Sequence, residues 1–111
     1  MLELLFGNQN VERILFTLQV NKRCYATKIS DECETSLYGV QAALQKLEKA
    51  GVLVSYTEGK LRLYEYNPRY PFVKELKQFI NKAYYFLPSE IKAKYYTPSQ
   101  RKRPRRTGKP L

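Results

Sequence analysis

The sequence contains no histidine, no tryptophan and only two cysteines, Cys24 and Cys33. Histidine is the commonest general base and the commonest metal ligand, so its absence removes the usual route to proton-transfer catalysis and to an imidazole metal site. Two cysteines are too few for a disulfide framework or a complete thiolate metal centre. Long apolar runs are also missing, since none approaches the roughly 20 residues that a membrane-spanning helix needs. The opening stretch Met1-Leu2-Glu3-Leu4-Leu5-Phe6-Gly7 has neither a basic segment nor a small-residue cleavage site. No signal peptide is therefore expected, and a cytoplasmic location is. Little remains for an enzyme to work with. The expectation is no catalytic residue, no metal, no cofactor and no membrane partner.

What the chain does have is positive charge. Its 111 residues carry 20 Lys and Arg against 10 Asp and Glu, for a net charge of +10. Lys92, Lys94, Arg101, Lys102, Arg103, Arg105, Arg106 and Lys109 fall in the last twenty residues, where no acid occurs. The body is thus nearly neutral and the basicity is largely an appended arm. With 43% apolar and 27% charged residues the body has the composition of one folded domain. The boundary is placed at 1–96 for the domain and 97–111 for the tail. The tail, with Pro98, Pro104, Gly108 and Pro110 and no apolar period, is expected to be mobile in isolation.

Apolar spacing outlines the domain. Val11, Ile14, Leu15 and Leu18 form a helical stripe over 10–20, with Asn8 or Asn10 as N-cap. A short extended piece at Tyr25-Ala26 leads to a brief helix over Lys28–Cys33 that Thr27 is expected to cap. Leu37, Val40, Ala43, Leu44 and Leu47 then predict a helix over 36–50, with Gly51 as its left-handed terminator. The period next changes to two. Val52, Val54 and Tyr56, then Leu61, Leu63 and Glu65, predict a hairpin whose tip is Glu58-Gly59-Lys60. A long helix is expected over 70–87, opened by Pro71 and stopped by Pro88, with a short last helix from Ser89 to about Tyr96.

The order is helix, short strand, helix, turn, helix, hairpin, long helix. The run Gln41-Ala42-Ala43-Leu44-Gln45-Lys46-Leu47-Glu48-Lys49-Ala50-Gly51-Val52-Leu53-Val54, leading to Gly59-Lys60-Leu61-Arg62-Leu63-Tyr64, carries a likeness. It resembles winged helix-turn-helix transcription regulators of prokaryotes, in particular the arsenical-resistance-repressor and multiple-antibiotic-resistance-repressor-like groups. Leu63–Pro71 is also similar to the segment after the wing in small winged-helix domains, some of them fused to nucleotidyltransferases. The resemblance covers about residues 9–87. It implies a mainly α, α+β fold with a three-helix core, a small β-hairpin wing and a long C-terminal helix. It also implies a double-stranded DNA partner.

On that likeness, helix 36–50 enters the major groove with Leu37, Val40, Leu44 and Leu47 turned inward. Thr35, Ser36, Tyr38, Gly39, Gln41, Ala42, Gln45 and Lys46 are then left towards solvent or DNA. Gln suits adenine, Tyr38 a phosphate or a thymine methyl, and Lys46 a phosphate. Gly39 would allow a close backbone approach. The wing, 56–62, offers Lys60 and Arg62 to the backbone or minor groove, while Tyr56, Tyr64 and Tyr66 fit packing on the sheet face equally well. In the tail Arg101, Lys102, Arg103, Arg105 and Arg106 suit phosphates or a minor groove; the alternatives are a solubilising tail, an RNA-binding segment or, least favoured for want of an amphipathic face, an anionic-membrane contact. Asp31, Glu32 and Glu34 make the preceding helix and turn acidic, so their carboxylates are expected to point away from phosphate. Cys33 fits a small buried hydrophobe. Helix 70–87 is longer than its own domain needs, and a homodimer through it is expected. A winged-helix module that binds RNA or another protein is the alternative, because a fold does not fix a function.

Overall fold

In the computed structural model, which describes residues 1–97, the chain opens with a single helical turn, α1 (Glu3–Phe6), closed by Gly7 at φ 72°. Nothing in the apolar spacing of these residues announces the turn. Next comes α2 (Gln9–Asn21), started by Asn8, whose side-chain Oδ1 accepts the Asn10 N–H at 2.7 Å. Its Val11, Ile14, Leu15, Phe16, Thr17 and Leu18 are all buried, so this helix is enclosed on nearly every side and forms the centre of the molecule.

Strand β1 (Arg23–Cys24) lies two residues before the expected Tyr25-Ala26. Its position is set by pairing with β3 (Leu61–Tyr66), Arg23 opposite Glu65 and Cys24 opposite Tyr64. Tyr25 instead starts α3 (Ala26–Glu32) without any side-chain cap, so the expected Thr27 cap is not used. That helix buries Ile29, and Cys33 ends it. Glu34 crosses the turn at φ +54°, a left-handed conformation in which glycine is the usual residue.

Ser36 then starts α4 (Leu37–Lys49), its Oγ accepting the Gly39 N–H at 3.0 Å. Val40, Ala43 and Leu44 are buried against the core and Leu47 is half-buried. Leu37, expected inward, is 40% exposed. It is the first helical residue, beyond the neighbours that cover the next turn. Gly51 ends the helix at φ 85°, as the sequence required.

Strand β2 (Leu53–Glu58) turns at Gly59 into β3, and the antiparallel sheet has the order β1-β3-β2. Leu53 faces Tyr66 and Ser55 faces Tyr64 across the hairpin. Tyr64 and Tyr66 are buried, which settles them as packing residues. Helix α5 (Val73–Tyr85) is shorter than the expected 70–87, and among its residues only Ile80 is fully buried. After Pro88, α6 (Ser89–Tyr95) delivers Tyr96 into the core, with ring centroids 5.4 Å from Phe16 and 6.3 Å from Tyr84. Helices α2, α3 and α4 with the hairpin make a winged helix-turn-helix, an α+β fold. Cys24 and Cys33 are each 1% exposed. Burial pushes the Cys24 thiol up to about 12 and raises that of Cys33, so both are inert small hydrophobes.

Candidate nucleic-acid interface

Because α4 turns Val40, Ala43 and Leu44 inward, helical geometry places Tyr38, Gln41, Ala42, Gln45 and Lys46 outward, and all five are exposed. Tyr38 is 83% exposed. Lys46 and Lys49 lie in the last turn, where cations complement the helix dipole. The wing rises beside the C-terminal half of this helix. Between them runs a groove of about 560 Å³ whose lining includes Gln41, Gln45, Lys60, Arg62 and Tyr64. The structure thus brings together side chains that sequence spacing proposed separately on the helix and the wing.

Ala26, Leu61 and three further polar side chains, to which sequence spacing did not point, also line this groove. Tyr25 and Thr27 enter from the start of α3, and Glu48 from the last turn of α4. Ser55 Oγ donates to Glu48 Oε2 at 2.6 Å and accepts from Arg62 Nη1 at 2.7 Å. A helical wheel identifies the face of Glu48 but not the strand that comes to lie against it.

Thr35, Ser36 and Gly39 have structural partners. Thr35 Oγ1 donates to Asn10 Oδ1 at 2.9 Å, and Ser36 is the N-cap. Gly39 does not face outward. A Cβ there would lie 2.7 Å from Asn10 Nδ2, so its close approach is to α2. On the opposite face of the wing, Tyr56 Oη accepts from Arg23 Nη1 at 2.8 Å.

The acids of α3 and its turn are partly neutralised by neighbours. Glu32 pairs with Lys28 at 2.6 Å, and Glu34 with Lys94 of α6 at 3.9 Å. Arg13 reinforces the same junction, since its Nη1 donates to the Cys33 carbonyl at 2.8 Å and its guanidinium stacks 4.5 Å from the Tyr95 ring. The end of α6 therefore lies at the turn preceding α4, while the wing lies at the other end of α4. Arg101, Lys102, Arg103, Arg105 and Arg106 lie outside the described residues.

Phe72 at the N-cap of α5, Phe79 within it and Phe86 at its C-cap are 63%, 42% and 63% exposed. They recur every seven residues. Among the described residues, no helix is long and apolar enough to cross a membrane and no group of His, Cys, Asp and Glu could hold a metal ion.

No protein-family profile and no curated protein sequence matches the chain. Among solved structures, the adhesin competence repressor (AdcR) of Streptococcus pyogenes is similar, with a TM-score of 0.54 at 16% identity, over 84% of this chain and 75% of that one. A variant of ZitR from Lactococcus lactis gives a TM-score of 0.52 at 20% identity, over 78% of this chain and 66% of its own. The chain spans just under two thirds of that second protein. At these identities the likeness is one of fold, and it agrees with the winged helix-turn-helix derived above.

Proposed function

We propose that this chain is a non-enzymatic regulator of transcription that binds double-stranded DNA. The observation that supports this most strongly is the groove between α4 and the wing, where two glutamines from the helix meet Lys60 and Arg62 from the hairpin. A phosphate strand running between a major groove occupied by α4 and a minor groove approached by the wing would follow this channel. Gln41 and Gln45 are assigned to base edges, with Ala42 beside them against a methyl group. Tyr38 and Lys46 are assigned to phosphate. Thr35 and Ser36, whose side chains are engaged within the protein, present the N-terminus of α4 to the backbone. Arg101, Lys102, Arg103, Arg105 and Arg106 add non-specific attraction, and such a protein would reside with the nucleoid. That one protein of similar fold is named a repressor supports the regulatory reading.

We further assign the phenylalanine stripe of α5 to a homodimer contact, which would present two recognition helices to a two-fold site. The deciding experiment is a mobility-shift comparison of duplex DNA, structured RNA and single strands at matched salt. Preference for the duplex is expected. Equal or stronger binding to RNA would instead make this an RNA-binding module.

A further inference from the structure

Glu48 is badly placed by two ordinary criteria. It lies in the last turn of α4, where the helix dipole disfavours an anion, and it lines the groove assigned above to a phosphate strand. Its carboxylate nevertheless has a specific task. The Ser55 hydroxyl carries one proton and gives it to Glu48 Oε2 at 2.6 Å, which leaves its lone pairs to accept from Arg62 Nη1 at 2.7 Å. Both bonds are charge-assisted, and the serine between them is polarised in one direction, from arginine to carboxylate. The register makes this possible. Ser55 faces Tyr64 and Arg62 faces Thr57, so Ser55 and Arg62 are diagonal neighbours on one face of the hairpin.

Arg62 is exposed, and a hydrogen-bond chain that ends on an exposed charge contributes little to stability while restricting a long side chain. What the arrangement does achieve is a guanidinium fixed over the groove with the rest of its donor fork available to an oxyanion. We propose that Glu48 and Ser55 are positioning residues that hold Arg62 towards a backbone phosphate of the bound duplex. The proposal rests on the duplex-binding reading above.

Electrostatic repulsion and positioning predict opposite signs, which makes the proposal testable. If Glu48 only repelled phosphate, Glu48→Ala and Glu48→Gln would both tighten binding. As a positioning residue, Glu48→Ala frees Arg62 and weakens binding, whereas Glu48→Gln keeps an acceptor for Ser55 and binds at least as well as the parent. The experiment is a fluorescence-anisotropy titration of the full chain on a mixed-sequence DNA duplex over a range of salt, with folding checked by circular dichroism. Ser55→Ala and Glu48→Ala are each expected to weaken binding several-fold. Their salt slopes should fall towards that of Arg62→Ala, by up to about 0.9 for the one phosphate contact. In the Arg62→Ala background, Glu48→Ala should no longer weaken binding. Tightening by Glu48→Ala in the parent chain, or an equal effect in both backgrounds, overturns the proposal, and so does an unchanged slope in Arg62→Ala. Each of those results leaves the duplex-binding reading intact. A parent chain that does not bind the duplex overturns both. NMR relaxation of the Arg62 guanidinium supplies a reading without DNA: it should be rigid in the parent and loosened in Ser55→Ala, and equal rigidity in both overturns the positioning role.

Discussion

Asn10 of α2 lies directly against Gly39 of α4, and its Oδ1 accepts the hydroxyl proton of Thr35 at 2.9 Å. One asparagine thus fixes both the approach of two helices and the residue before the N-cap of α4. A methyl group at Gly39 would displace the Asn10 amide, and the Thr35 hydrogen bond with it. Gly39→Ala gains about 1 kcal/mol of helix propensity and loses a bond of similar worth. In urea denaturation it should be close to neutral. With Asn10→Ala already in place the same change should stabilise by about 1 kcal/mol, because only the propensity gain remains.

Glu34 sits at φ +54° without the freedom of glycine. The left-handed region costs a side-chain-bearing residue about 1–2 kcal/mol, part of which is offset by the greater chain entropy of an unfolded glycine. Its exposed pair with Lys94, at 3.9 Å, returns little. Glu34→Gly should therefore raise the denaturation midpoint by a free-energy equivalent of about 0.5–1 kcal/mol. A drop in the midpoint would show that the acid has a structural role in the turn.

Sequence reading and backbone attraction should separate by residue. Gln41→Ala and Gln45→Ala are each expected to relax base preference at one position, by about 1–3 kcal/mol for a lost bidentate contact. Lys60→Ala should weaken all duplexes about equally. Selection from a random duplex pool measures both, and an unchanged selected sequence for both glutamine variants would remove them from the readout.

The tail should act through charge. Replacing Arg101, Lys102, Arg103, Arg105 and Arg106 by glutamine is expected to weaken binding to any duplex and flatten its salt dependence, by about 0.9 per phosphate released. The preferred sequence should not change. Since the end of α6 lies beside Glu34, protection from hydroxyl-radical cleavage should shrink on the flank nearest the start of α4. Uniform protection in both proteins would confine the tail to solubility.

Oligomeric state should depend on the α5 stripe. Phe79→Glu places a charge at the middle of the three exposed phenylalanines and is expected to give monomers by sedimentation velocity. A parent chain that is already monomeric at the same concentration would show that the stripe serves another partner.

The major helices were legible because their signals are local. The spacing of Val40, Ala43, Leu44 and Leu47, together with Ser36 and Gly51, is enough to bound α4 to within a residue at each end. The hairpin was legible for the same reason, its alternation and Gly59 lying within a few residues of each other. Failures came where a partner distant in sequence decides. The two residues of β1 are a strand only because Glu65 and Tyr64 lie alongside, and nothing near Arg23 announces them. Gly39 reads as outward until α2 is laid across it. Glu48 reads as a surface acid until Ser55 and Arg62 are folded over it. Leu37 carries the correct period, but the period continues past the end of the surface that could cover it.

The seven-residue spacing of Phe72, Phe79 and Phe86 also dictates a handedness. A straight α-helix turns about 20° away from a seven-residue repeat at each interval, so Phe86, the C-cap, drifts by about that much from Phe79, while Phe72 is the N-cap and precedes the regular helix. A partner inclined by roughly +20°, in the sense of a left-handed supercoil, is the arrangement that follows such a repeat.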